Sequence, residues 1–288
     1  MSSASSTTGL DETVFPLRER LRSAGVPDPR VLFLMGTGAG FLPGRLREAR
    51  ELELGELCGD CDPWHDQVLR TGRLGALPAW FLEDVSGDPP PDEPTSPWMR
   101  ALPVWLAAAA GAQVLVHTSA GSALAGFPGR APGFALVRDH LNLSGQTPLL
   151  GLGESKLGPL FPDLSLLYHA GLRAAALARA EALGLACCEA IAAATLGPAL
   201  ETPAERAMLA LLGAEVAVPN LATPLLAAGH AGLAAVALVA VTDAGAPASL
   251  ASIVAAAGAL QPALEDLLLA LVPDLEATLA RFSAEGEA

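Results

Sequence analysis

Basic residues are scarce in this sequence: 17 lysines and arginines stand against 31 carboxylates, a formal net charge of −14 over 288 residues. Nucleic acid and anionic membranes both demand a basic surface, so neither is expected as a partner. Long apolar runs are lacking too. The longest, AGLAAVALVAV at 231–241, falls far short of a membrane span. A second apolar stretch, IVAAAGALQPALEDLLLALV, is broken by Gln261, Pro262, Glu265 and Asp266. The opening MSSASSTTGLDE has neither a basic start nor an apolar core, so it does not read as a signal peptide. The expectation is a disordered tail over 1–12, one domain over 13–288, and a cytoplasmic location.

Cysteine is equally sparse. Four in so long a chain do not make a disulfide framework. Cys58 and Cys61, in CGDC with His65 close behind, lack a fourth ligand for zinc, because Cys187 and Cys188 are adjacent and distant. A thioredoxin-like pair opens a helix after a first strand, whereas Pro63 follows here. Ordinary reduced thiols are expected, with no metal and no cofactor. Two phosphate-binding signatures are also missing. GTGAGF at 36–41 puts Phe41 where a dinucleotide fingerprint wants a third glycine, and no Gly-Lys-Ser/Thr exists for a P-loop.

What is present is hydrophobic: 51% of residues, rich in Ala and Leu, ample for a large core. Short apolar runs at 31–35, 78–84, 113–117, 133–139, 187–195, 214–220 and 233–241 read as strands. Helices are expected at 43–53, 97–110, 165–183, 203–212, 222–230 and 260–282. That alternation points to an α/β domain with a largely parallel sheet covered by helices. The proline-rich stretch 86–97 is its obvious loop. Several strands end in small or polar residues: Gly36-Thr37-Gly38, Thr118-Ser119-Ala120-Gly121 and Thr242-Asp243. In open α/β sheets the ligand crevice lies at such ends.

One carboxylate is surplus. In LGPALETPAERA (196–207), Thr202 serves as N-cap, Pro203 suits the first helical position, and Glu205 completes a capping box. Glu201 has no part in that cap.

Together RDHLNLSGQTPLLG (138–151), GPLFPDLSLLY (158–168) and GPALETPAE (197–205) resemble motifs of the trimeric purine nucleoside phosphorylase family, which includes enzymes for methylthioadenosine. The ordered match covers roughly residues 30–245. The resemblance implies a single α/β domain with a mixed, barrel-like central sheet, a homotrimer, and reversible attack of phosphate on a purine nucleoside, in purine salvage. It also gives Glu201 a role as acceptor for the purine N1–H. Asp243 replaces an asparagine that bonds the base at N7, so Glu201 and Asp243 become the catalytic and base-holding pair. Ala120, Gly121 and Leu200 complete the purine pocket. Thr37, His65, Ser119 and Asn220 match positions on the phosphate side. Arg138, Asp139 and His140 are expected to be scaffold.

The sequence departs from the family on that phosphate side. An Arg-x-His pair that grips phosphate becomes Asp84 and Ser86, and the histidine near the ribose 5′-hydroxyl becomes Leu250. Arg45, Arg70 and Arg73 are candidates to restore the missing cation. A diverged member remains an alternative: a purine-binding pseudoenzyme, or a hydrolase using water.

Overall fold

The structure is a computed structural model that describes residues 9–36, 42–58, 63–85, 96–243 and 249–286. In chain order the elements are α1 (Leu10–Ser23), β1 (Val31–Met35), β2 (Arg47–Glu53), α2 (Leu54–Cys58), β3 (Val68–Leu74), β4 (Leu77–Glu83), α3 (Leu102–Ala109), β5 (Val114–Ala123), β6 (Gly133–Asn142), α4 (Ala170–Ala182), β7 (Cys187–Thr195), α5 (Pro203–Leu211), β8 (Val216–Pro219), α6 (Ala222–His230), β9 (Ala234–Asp243) and α7 (Leu250–Gly286).

The strands form one mixed sheet in the order β2-β3-β4-β1-β5-β8-β7-β6-β9, and β9 returns to pair with β5. Five strands therefore close into a barrel, while β1, β4, β3 and β2 extend from it as an open wing. β1 explains why central strands read as unbroken apolar runs. Val31, Phe33 and Met35 enter one hydrophobic layer, and Leu32 and Leu34 the other, because alternate side chains leave a strand on opposite faces. The first layer is closed by α4 and α7, the second by α1, α3 and α6. In α7, Leu264, Leu267, Leu268, Leu271, Leu275 and Leu279 form a buried stripe at helical spacing. By length and composition alone this helix could cross a membrane, but that stripe is packed on the sheet.

Three sequence expectations are corrected. Residues 43–53, read as a helix, form a short 3-10 turn and the edge strand β2. Leu46 and Leu52 are the large apolar residues of that segment, and six positions apart they do not make a helical stripe, so pairing with β3 decides its conformation. Helix α1 starts at Leu10, inside the stretch read as tail, with Leu10, Val14, Leu17 and Leu21 buried along one face. Cys187 and Cys188 are free, with burial pushing the Cys187 thiol up to about 12. Cys58, expected to be reduced, is disulfide-bonded.

Candidate functional site

A cavity of about 430 Å³ lies beyond the carboxyl ends of β4, β1, β5, β7 and β9, and α7 contributes Ile253 to its wall. Its floor is the end of β5, where Ser119, Ala120, Gly121 and Ser122 line it. Small residues are required here by crowding from behind. A Cβ on Gly121 would lie 2.6 Å from the Ala217 carbonyl oxygen, and one on Gly36 only 2.4 Å from that of Thr118.

At one end stands Glu201. The capping box expected beside it is formed: the Glu205 amide donates to Thr202 Oγ1 at 3.3 Å, and the Thr202 amide to Glu205 Oε2 at 2.7 Å. The Thr202 amide, and secondly its hydroxyl, lower the Glu205 carboxyl from its ordinary value. Glu201 is thereby left to the cavity, which it lines together with Leu200. Thr195, the last residue of β7, donates its hydroxyl to Glu201 Oε1 at 2.7 Å. The carbonyl of Thr195 also accepts from the Asn220 amide at 3.0 Å. Asn220 has a φ of 60°, a left-handed conformation that asparagine tolerates better than most residues, and it too faces the cavity.

Asp243, at the end of β9, is turned toward other protein groups. Ser122 Oγ donates to its Oδ2 at 2.5 Å, and Arg206 Nη2 lies 3.6 Å from Oδ1. Ser122 is the member of that cluster that reaches the cavity wall. Arg206 also donates to the Ala123 carbonyl, tying α5 to β5.

At the other end stands Asp84, just past β4. Its carboxylate Oδ2 lies 2.8 Å from Nε2 of His117, and both side chains are buried, 9% and 1% exposed. Asp84 comes one step beyond the Met35–Glu83 pair, and His117 pairs with Leu34. The two side chains meet diagonally from the strands on either side of β1. His117 Nδ1 is buried without a hydrogen-bond partner.

The structure thus brings together Ser119, Ala120, Gly121, Leu200, Glu201, Asn220 and Asp84. Thr37 and Ser86 lie outside the described residues. His65 sits in an exposed turn, with its ring against Gly55, and is not part of the described cavity wall. Arg70 pairs with Glu51 at 2.8 Å and Arg73 donates to the Ala76 carbonyl. Neither they nor Arg45 lines the cavity, and among the described residues no lysine or arginine does. Arg138 faces Glu215 at 3.6 Å, and His140 Nδ1 meets the Tyr168 hydroxyl at 2.9 Å, with burial lowering the His140 pKa. Neither residue lines the cavity at the strand ends.

Sequence reading missed Thr195, Arg206 and His117. A polar residue closing an apolar run was the available signal for Thr195 and His117. Arg206 offered none.

A barrel with a strand-end cavity, a glutamate on its wall and a floor of small residues is the candidate site that the fold builds. Residues 69–273 match the phosphorylase superfamily, and the chain belongs to that family. Its relatives there include purine nucleoside phosphorylase 1 of Bacillus subtilis, 28% identical over 71% of this chain and 75% of the relative. The purine nucleoside phosphorylase of Mycobacterium tuberculosis is 41% identical over 45% of this chain and 44% of its own. Among solved structures, the Schistosoma mansoni purine nucleoside phosphorylase in complex with adenosine shares the fold, with a TM-score of 0.82 at 20% identity over 92% of this chain and 98% of the other.

Proposed function

We propose that the protein is a purine nucleoside phosphorylase-like glycosyltransferase, which cleaves the N-glycosidic bond of a purine nucleoside to free base and pentose 1-phosphate. The observation that carries this reading is Glu201: released from the cap by Glu205, anchored by Thr195 at one oxygen, and facing the cavity. A half-buried carboxylate is costly unless donors satisfy it, and a purine edge supplies N–H donors.

The reaction needs placement more than covalent help from the protein. A phosphate oxygen forms the bond to C1′ as the C1′–N bond breaks, and the bonding pair leaves with the purine. The proton that the phosphate gives up ends on the free base. Glu201 fixes the base, the β5 floor carries the sugar, and the opposite end of the cavity receives phosphate as co-substrate, with no cofactor in the step. Asp243 acts on the base side through Ser122, with Arg206 behind it.

The test is product analysis with a panel of purine nucleosides, with and without phosphate. Base release that requires phosphate and yields the sugar 1-phosphate is expected. Release indifferent to phosphate would make the protein a hydrolase, and tight base binding without release would make it a pseudoenzyme. The same reading includes a homotrimer working in purine salvage in the cytoplasm. Phe161 and Leu166, each 88% exposed, support a subunit contact on the loop that carries them. Sedimentation giving only monomer at micromolar concentration would remove the trimer.

A further inference from the structure

The buried pair Asp84–His117 has no part in the steps above, yet it occupies the end of the cavity where the nucleophile enters. The strand order sets this position: Asp84 follows β4 and Glu201 follows β7, with β1, β5 and β8 between them. A purine held by Glu201 therefore leaves the Asp84 end to the attacking group. That assignment rests on the phosphorolysis reading.

We propose that Asp84, positioned by His117, selects the entering oxyanion by accepting a hydrogen bond from an O–H that the oxyanion itself carries. Phosphate and arsenate keep such a proton at neutral pH. Sulfate carries none and is rejected.

Three observations carry the inference. First, an ionised carboxylate only accepts, and its two oxygens offer about four lone-pair positions. The Nε2–H of His117 needs one of them, on Oδ2. Second, the other groups on this part of the wall, Gly36, Ser119 and Asn220, are neutral, and no cation among the described residues lines the cavity. A fully deprotonated dianion would set its oxygens against the carboxylate, and no lysine or arginine among the described residues lines the cavity to offset the repulsion. An oxyanion with one O–H turns the same contact into a charge-assisted hydrogen bond. Third, the His117 ring has its Nδ1 buried and unpartnered, so the bond to Asp84 is the ring's one hydrogen bond. A ring 1% exposed and anchored at one atom holds that carboxylate in place. Asp84 is a specificity-determining residue and His117 a positioning residue.

The experiment titrates the full chain, without nucleoside, with inorganic phosphate, arsenate and sulfate by calorimetry. It then measures how sulfate inhibits phosphate-dependent inosine and adenosine cleavage. Phosphate and arsenate should bind at least about tenfold tighter than sulfate, the effect of one such contact. In Asp84→Asn, whose amide can donate to any oxyanion, the preference should fall close to parity. His117→Ala should lower the preference in the same direction, and His117→Gln, which retains an N–H donor, should restore part of it. A merely structural role for His117 would change stability while leaving the phosphate-to-sulfate ratio alone, and that result overturns its assignment. Phosphate-dependent cleavage with sulfate competing as well as phosphate overturns the selection by Asp84 alone, and the wild type decides this without any variant. Cleavage without phosphate, by a protein that binds no oxyanion, overturns the phosphorolysis reading and this inference together.

Discussion

Glu201 and Asp84 are two carboxylates at opposite ends of one cavity, and they are held in opposite ways. Glu201 is anchored by a single hydroxyl from Thr195 on a helix entrance whose cap is complete without it. Asp84 is buried against an imidazole that is itself buried. The first arrangement leaves acceptor capacity turned to a ligand at little structural cost. The second commits a titratable partner to fixing one orientation. On the proposed function, the difference implies that changes at Glu201 act on the base with little effect on the fold, whereas changes at Asp84 couple ligand preference to packing against His117.

The sharpest way to break the comparison is charge reversal at the buried end. An attraction between unit charges 4 Å apart is worth about 4 kcal/mol at an effective dielectric of 20, whereas the present carboxylate holds phosphate only through its single O–H. Asp84→Arg, alone or with Ser86→His, should raise kcat/KM for phosphate by at least about tenfold, after solvent and flexibility take their share. Base affinity should not change. Brisk wild-type phosphorolysis that the substitution impairs would remove the distinction between the two ends.

Glu201→Ala tests the other end. It should weaken base binding by about 1–3 kcal/mol, the cost of a lost charged hydrogen bond, while phosphate binding stays constant. Calorimetry reads both quantities, and an unchanged base affinity would sink the assignment of Glu201. Asp243→Asn should move the inosine-to-adenosine ratio of kcat/KM toward the 6-oxopurine, because an amide can donate where a carboxylate cannot. The shift should be smaller than the loss in Glu201→Ala, since Ser122 and Arg206 already engage that carboxylate.

A smaller effect separates cap from ligand site. Thr202→Ala should cost about 1 kcal/mol of stability and leave base affinity nearly unchanged. The Glu205 carboxyl is held below its ordinary range by the Thr202 amide and hydroxyl. Its contribution is therefore present above the unfolded-state pKa and is lost as pH falls through the folded-state value. Thermal denaturation between neutral and acid pH should show that loss in the wild type and a shallower one in Thr202→Ala.

The sequence was most readable where one physical signal acted alone. The runs at 31–35 and 187–195 and the helix at 222–230 were placed to the residue, because each is apolar and bounded by turn residues. The strand at 113–117 was cut short: β5 continues through Ser119, Ala120 and Gly121, small residues with weak strand preference that are held by pairing with β9. Segment 43–53 failed for the same reason in reverse, its helix-forming composition being overruled by an edge pairing. In the site, Glu201 was legible because the cap next to it left it unexplained. His117 was not, since its meaning arises only when β1 brings β4 and β5 within reach of each other.

β5 pairs with β1 in the wing and with both β8 and β9 in the barrel. A strand shared in this way cannot be released by opening either part alone, so wing and barrel lose their structure as one cooperative unit. Amide hydrogens from Val114 to Thr118 should accordingly exchange only through global unfolding, and those of β2 at the edge through local fraying. The floor residues Ser119 to Ser122 continue that same strand, so a motion that admits or releases a ligand is expected in the connections around it.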